Sequence, residues 1–232
     1  EDLDFIKKQR GISEATGMII EQSEVKIDKK KLGKWVFMMG MPTDPSEQKL
    51  IEEAFAGYGI FKGRALKTGD KNKVTVGYNY LFADKIFSKP LKLGDNIFIK
   101  GKSFDIIGFY EEIGNPGDDS NVYMIDDVMK ELFDKGDEYA MVYIRAEKGV
   151  VPTELAERLE EKLRKKKGQK EGEEDFYIQS FEQLMETFGT ILLVLNSILV
   201  IIIFIFSLTA NFSESLNPTS DEILKRSSED KT

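Results

Sequence analysis

The sequence predicts an α+β domain followed by one transmembrane helix. Three observations carry this expectation. Stretches of alternating apolar residues are interleaved with stretches of helical periodicity, and glycine and proline punctuate both. One long run near the C-terminus has no charged residue: Phe188 to Leu208, FGTILLVLNSILVIIIFIFSL. At 1.5 Å per residue, about 20 helical residues cross a hydrocarbon core of roughly 30 Å. A buried helix of a soluble protein rarely runs so long without a charge, and the position near the C-terminus excludes a cleaved signal peptide.

Composition narrows the chemistry. The 232 residues include no His and no Cys, which removes thiol nucleophiles, imidazole bases, zinc sites on those ligands and disulfide frameworks. Acidic residues outnumber basic ones, 41 to 33, for a net charge of −8, so no nucleic-acid partner is expected. The basic runs Lys29-Lys30-Lys31 and Arg164 to Lys167 read as a turn and a helix end. Gly57-Tyr58-Gly59 lacks the strand–glycine–helix setting of a nucleotide fingerprint and reads as a turn, and no Walker-type phosphate loop occurs. Asp118-Asp119 in NPGDDSN lacks the spacing and distal Glu of a calcium loop and reads as a solvated turn. No catalytic residue, cofactor site or metal site is expected.

Along the chain, Asp2–Arg10 predicts a short amphipathic helix stopped by Gly11. Extended segments follow at Thr16–Gln22, Glu24–Asp28 and Lys34–Met41. In the last, Trp35, Phe37 and Met39 alternate with Val36 and Met38, which suits a strand at least partly covered on both faces. Ser46 opens a helix to Phe55. Lys73–Gly77 is a short strand and Tyr80–Phe87 a helical turn or two. The clearest hairpin joins Asn96–Lys100 to Ser103–Glu111 through Gly101-Lys102. Asp126 or Asp127 caps a helix through Phe133, and Tyr139–Ala146 is a strand. Then VPTELAERLEEKLRKKKG gives the strongest helix: Pro152 in its first turn, Leu155, Leu159 and Leu163 on one face, lysines before Gly168. Asp175–Gln179 reads as a final strand. Ser180 and Gln183 form a capping-box pattern, so a stalk and membrane helix is expected over 181–208, with a polar tail at 209–232.

The approach to the apolar run is acidic (Glu173, Glu174, Asp175, Glu182, Glu186), whereas Lys225, Arg226 and Lys231 follow it. The positive-inside rule therefore places residues 1–180 outside the cytoplasm and the tail inside, at the cell membrane. An outside domain needs an upstream export segment, so the chain is expected to be a piece of a longer protein. Asn196 and Ser197, polar groups midway along the span, are expected to hydrogen-bond to another helix.

The run from Phe61 to Glu112 resembles the extracytoplasmic core of MacB/FtsX-type ABC transporter permeases. The resemblance is carried by Gly63-Arg64, the strand Val74 to Gly77, Leu93-Gly94-Asp95 and a hairpin ending in Ile107-Gly108, in that order. Residues 175 to 208 resemble that family's approach to its second membrane helix, whereas the short polar tail with Leu216-Asn217-Pro218 and Glu222-Ile223-Leu224 departs from its pattern. The resemblance implies a porter-like α/β subdomain (1–41 and 138–180) with an inserted mostly-β, Sabre-like subdomain (42–137). It also implies an ABC ATPase subunit as partner, a homodimer or paired permease, and a lipoprotein, peptide or antibiotic-like substrate. The domain would relay ATP-driven motion and do no bond chemistry. The competing reading is a membrane-anchored binding or sensor domain without transport.

Overall fold

The computed structural model describes residues 1–54, 59–136 and 138–216, with side chains through Thr209. It divides into a unit from Glu1 to Glu174 and a second unit beginning at Asp175. Phe55, the Gly57-Tyr58 pair and the tail motifs from Asn217 onward lie outside the described residues.

In the first unit, strands β2 (Ile20–Lys26), β3 (Lys34–Met41), β5 (Lys73–Val76), β6 (Asn96–Ile99), β7 (Lys102–Tyr110) and β8 (Val122–Ile125) form a closed ring, and β4 (Ile60–Gly63) adds to the outside of β7. The ring closes because β6 pairs with both β2 and β7. Most pairs are antiparallel; β3–β8 and β5–β7 are parallel. Short runs with β-branched residues supply the interior: Val25, Val74, Val76, Ile97, Ile99 and Val122 are fully buried, with Phe104 and Met124 among the largest buried side chains. The β6–β7 hairpin turns through Lys100-Gly101, one residue earlier than expected. Both have positive φ (48° and 81°), the conformation a two-residue hairpin loop requires to match strand twist.

A second layer pairs β1 (Ile12–Met18) with β9 (Met141–Ala146), antiparallel. Helix α1 (Asp2–Lys7) lies against β1, and helix α2 (Pro45–Ala54) against β1 and β9. Helix α4 (Pro152–Lys167) buries Leu155, Ala156, Leu159 and Leu163, the face its spacing implies, and ends at Gly168 in the left-handed conformation. Its last two lysines have partners: Lys166 and Lys167 reach Asp2 of α1 at 2.7 and 3.3 Å, and Lys162 Nζ donates to Gln9. Arg158 donates to the Arg10 carbonyl at 2.8 Å.

Several expectations require correction. The segments Thr16–Gln22 and Glu24–Asp28 are divided differently, because the chain changes sheets at Ile19, whose carbonyl accepts from Gly40 N–H at 2.8 Å. The seven-stranded sheet runs across the expected 41/42 boundary, since β2 and β3 bond to β6 and β8. Helix α2 is capped by Asp44 rather than Ser46: its Oδ1 accepts from Ser46 N–H, Glu47 N–H and the Ser46 hydroxyl. Neither Asp126 nor Asp127 caps helix α3 (Asp126–Phe133) through its side chain; both are inside the first turn. The helical reading of Tyr80–Phe87 reduces to a 3-10 turn at Tyr78–Leu81. Asp175–Gln179 forms no strand. Its alternating Phe176 and Ile178 mimic one, but polarity alternation records side chains, and a strand also needs a ladder partner. Trp35 and Phe37 are exposed; they lie on the part of β3 that precedes its pairing with β8 at Met38.

Burial predicts the energetic contrast within the ring. Replacing Phe104 by Ala should destabilise the domain by about 3–5 kcal/mol. Replacing the exposed Phe61 should stay within about 1 kcal/mol. Urea denaturation of the two variants would measure the difference, and equal midpoints would refute the assigned core.

Candidate functional site

The resemblance-derived residues largely meet on β7. A Cβ at Gly63 (φ +89°) would stand 2.3 Å from the Ile107 carbonyl oxygen, and one at Gly108 would stand 2.4 Å from that of Arg64. The two glycines therefore let backbones approach more closely than any side chain allows. Arg64 N–H donates to Ile107 at 3.1 Å, fixing the crossing. The Arg64 guanidinium then forks onto buried Asp70 (2.7 and 2.9 Å), which also accepts from Lys67 N–H (2.9 Å) and Lys73 Nζ (3.0 Å). Arg64 chiefly, with Lys73 and the Lys67 amide, outweighs burial and holds the Asp70 carboxyl well below the usual range. Next, the Leu93-Gly94-Asp95 segment straps the start of β6 to β7: Gly94 N–H donates to Ile106 and Ile106 N–H to Asp95. The Asp95 carboxylate accepts from Lys92 N–H. Gly77 stands apart from β7, against the Asp119 backbone, and donates to Asn121. The polar groups of Arg64, Asp70 and Asp95 thus hold neighbouring segments together.

Two further acids withdraw carboxyl oxygens from solvent. Asp119 is buried, not solvated as its turn suggested, and its carboxylate accepts from Ile113 and Gly114 N–H at 2.8 and 3.1 Å. Asp126 Oδ1 is buried without a hydrogen-bond partner among the described residues. Burial pushes its carboxyl up to about 6, against the nearby Lys130 charge. Among the described residues no cluster of acidic side chains is arranged to hold a metal ion.

In the second unit the capping box is formed: Ser180 N–H donates to Gln183 Oε1 at 2.8 Å and Gln183 N–H to Ser180 Oγ at 3.1 Å. Helix α5 (Phe181–Leu216) starts there and runs 36 residues without a break, past the expected end at Leu208. Its segment Phe181–Thr209 contains an 18-residue window of mean hydropathy 3.0 and is long and apolar enough to cross a membrane. The Ser197 hydroxyl donates to its own helix at Leu193 O, 2.8 Å. Asn196 is exposed on the helix.

One surface was not anticipated from the sequence. The loop between β2 and β3 displays Leu32 at 95% and Trp35 at 72% exposure beside exposed Lys30, Lys31 and Lys34. The signal was present in KKKLGKW, a basic run abutting apolar residues, but the turn reading absorbed it.

A family model for the MacB-like periplasmic core domain matches residues 1–162. Over 137 residues the chain is 32% identical to an uncharacterized ABC transporter permease of Methanocaldococcus jannaschii. That match covers 59% of this chain and 33% of the relative, so the chain spans about a third of its relative's length. Its fold is similar to the crystal structure of the periplasmic region of MacB from Actinobacillus actinomycetemcomitans, at TM-score 0.60 and 18% identity over 81% of each chain. It is also similar to the extracellular domain of the noncanonic ABC-type transporter YknZ from Gram-positive bacteria. There the TM-score is 0.54 at 17% identity, over 77% of this chain and 87% of that one.

Asp126 generates a pH dependence of definite sign. The unfolded carboxyl releases its proton near 3.8 and the folded one near 6, so between those values the folded state keeps a proton that the unfolded state has released. Its contribution to stability is therefore greatest below about pH 4 and is lost as pH rises through 6. Asp126→Asn should stabilise the domain at pH 8 by about 1–3 kcal/mol and flatten the stability profile between those pH values. Denaturation midpoints at pH 4 and pH 8 would check this, and a variant less stable at pH 8 would contradict it.

Proposed function

This chain belongs to the family of MacB-like periplasmic core domains, and from that premise we propose that it is the extracytoplasmic part of an ABC transporter permease. Its role is to relay motion. The observation that carries this reading is α5, which begins at a closed capping box and continues as one helix through the whole apolar run. At 1.5 Å per residue, its 36 residues measure roughly 54 Å, more than the roughly 30 Å of a hydrocarbon core. Helical residues therefore stand beyond the bilayer, and a continuous rod transmits tilt where a coil would absorb it. Gly189 is the weakest point within the apolar run and costs about 1 kcal/mol relative to Ala.

In this reading residues 1–180 lie outside the cytoplasm and the chain performs no bond chemistry. An ABC ATPase subunit supplies the energy, two permease copies or a paired permease form the working unit, and the cargo is a lipoprotein, peptide or antibiotic-like molecule. The porter-like part comprises α1, β1, β9 and α4, with the strand ring as the other part. Support comes from the order of the family motifs and from the spent state of their side chains. The Arg64–Asp70 fork in particular is engaged within the fold.

Two measurements test the proposal. A Cys introduced at the exposed Lys148 should be labelled by a membrane-impermeant thiol reagent in intact cells; labelling only after lysis would reverse the orientation. In the complete permease, a flexible Gly-Ser insertion after Thr187 should leave expression and partner ATPase activity intact while abolishing transport. Transport that survives the insertion would make α5 a tether and remove the relay.

A further inference from the structure

We propose that the tip between β2 and β3 is a contact for an anionic lipid surface. The inference rests on α5 as the membrane anchor, and its own support is the chemistry of the tip. Leu32 is 95% exposed, Trp35 72% and Phe37 42%. Trp35 and Phe37 alternate with Val36 and so project from the same face of β3. Lys30, Lys31 and Lys34 stand among them, exposed and without a carboxylate partner among the described residues. An indole beside apolar side chains and lysines suits a boundary where one end of each group is apolar and the other wet. Lysines near an anionic surface add attraction that a zwitterionic surface does not.

The tip is also built to keep its acids out of the way. Glu24 turns inward, its Oε1 accepting from Gly33 N–H at 2.7 Å and its Oε2 pairing with Lys26 at 3.0 Å. The Gly33 bond first, then Lys26, lowers the Glu24 pKa and keeps its charge engaged. Asp28 Oδ1 accepts from Lys30 N–H at 2.9 Å. Both carboxylates thereby rigidify the loop, leaving the ammonium groups of Lys30, Lys31 and Lys34 outward. Lys29 is held back over the Phe98 ring at 5.0 Å. In a chain of net charge −8, this concentrates positive charge at one projecting loop. A protein partner fits less well, because a stable protein interface buries about 800 Å² per side, more than three apolar side chains on a hairpin tip provide. A lipid headgroup layer needs no matching groove.

The chain's single tryptophan is Trp35, so its fluorescence reports on the tip alone. The full chain would be reconstituted in lipid nanodiscs of phosphatidylcholine, or of an equimolar mixture with phosphatidylglycerol. In the anionic discs Trp35 emission should move to shorter wavelength, be quenched by lipids with brominated acyl chains and become protected from iodide. In phosphatidylcholine it should remain water-like. Changing Lys30, Lys31 and Lys34 to Gln should lower the docked-to-free ratio about fivefold per lysine, with the circular dichroism spectrum unchanged. Water-like emission in both disc types would overturn the docking while leaving the anchor intact. So would a shift confined to discs holding two chains, which would assign the tip to a second copy. Failure of the chain to enter discs would overturn the anchor and the docking together.

Discussion

Strand β7 has to serve three neighbours at once, and the domain depends on its doing so. Its first residues bond to β6, its middle to β5 and its last to β4. The β6 contact closes the ring, and the β4 contact brings Arg64 within reach of Asp70. Room for all of this comes from the glycine pair at 63 and 108, where two backbones pass at a distance that any Cβ would forbid. Closure also spares the six ring strands the position of edge strand, which falls to β4. The ring is thus held by backbone geometry first and by buried aliphatic and aromatic groups second.

The second layer is held differently. The β1–β9 pair joins residues far apart in sequence, and the charges at the end of α4 converge on Asp2. Lys166 lies at 2.7 Å and Lys167 at 3.3 Å from its carboxylate, which depresses the Asp2 pKa mainly through Lys166, against partial burial. Exposed pairs of this kind each contribute about 0–1 kcal/mol. The apolar face of α4, with Leu155, Leu159 and Leu163 buried, contributes more. The charges select which helix end α1 meets, while the leucines supply most of the adhesion.

What could be read in the sequence was local. The four-residue spacing of the α4 leucines, the glycine after its lysines and the Ser180–Gln183 box all depend on groups within a turn or two of one another. The bounds of β3 were legible for the same reason. The turn at Lys100-Gly101 was misplaced by one residue because either register preserves the alternation on both strands. Ring closure was not legible, since nothing in Asn96–Ile99 names β2 as a second partner. Nor could the sequence tell that Trp35 would be bare: the residues that follow it in the strand are apolar on both faces, and Met38 and Met39 are buried where Trp35 is not. Asp175–Gln179 shows the converse, an apolar alternation with no ladder to join.

The β1–β9 pairing also orders events in time. The ring draws on residues 20 to 125, so a chain emerging from its N-terminus can complete it early. The strand Ile12–Met18 must wait for Met141–Ala146, and Asp2 must wait for Lys166. Contacts of such long sequence separation close slowly. The N-terminal layer is therefore the last part of the first unit to assemble, shortly before the apolar helix is synthesised. During that interval helix α1 can rest on β1, its neighbour in sequence, but the Asp2 end that Lys166 later meets is still in water. The domain thus passes through a stage in which the ring is complete while α1, β1 and the end of α4 have yet to meet.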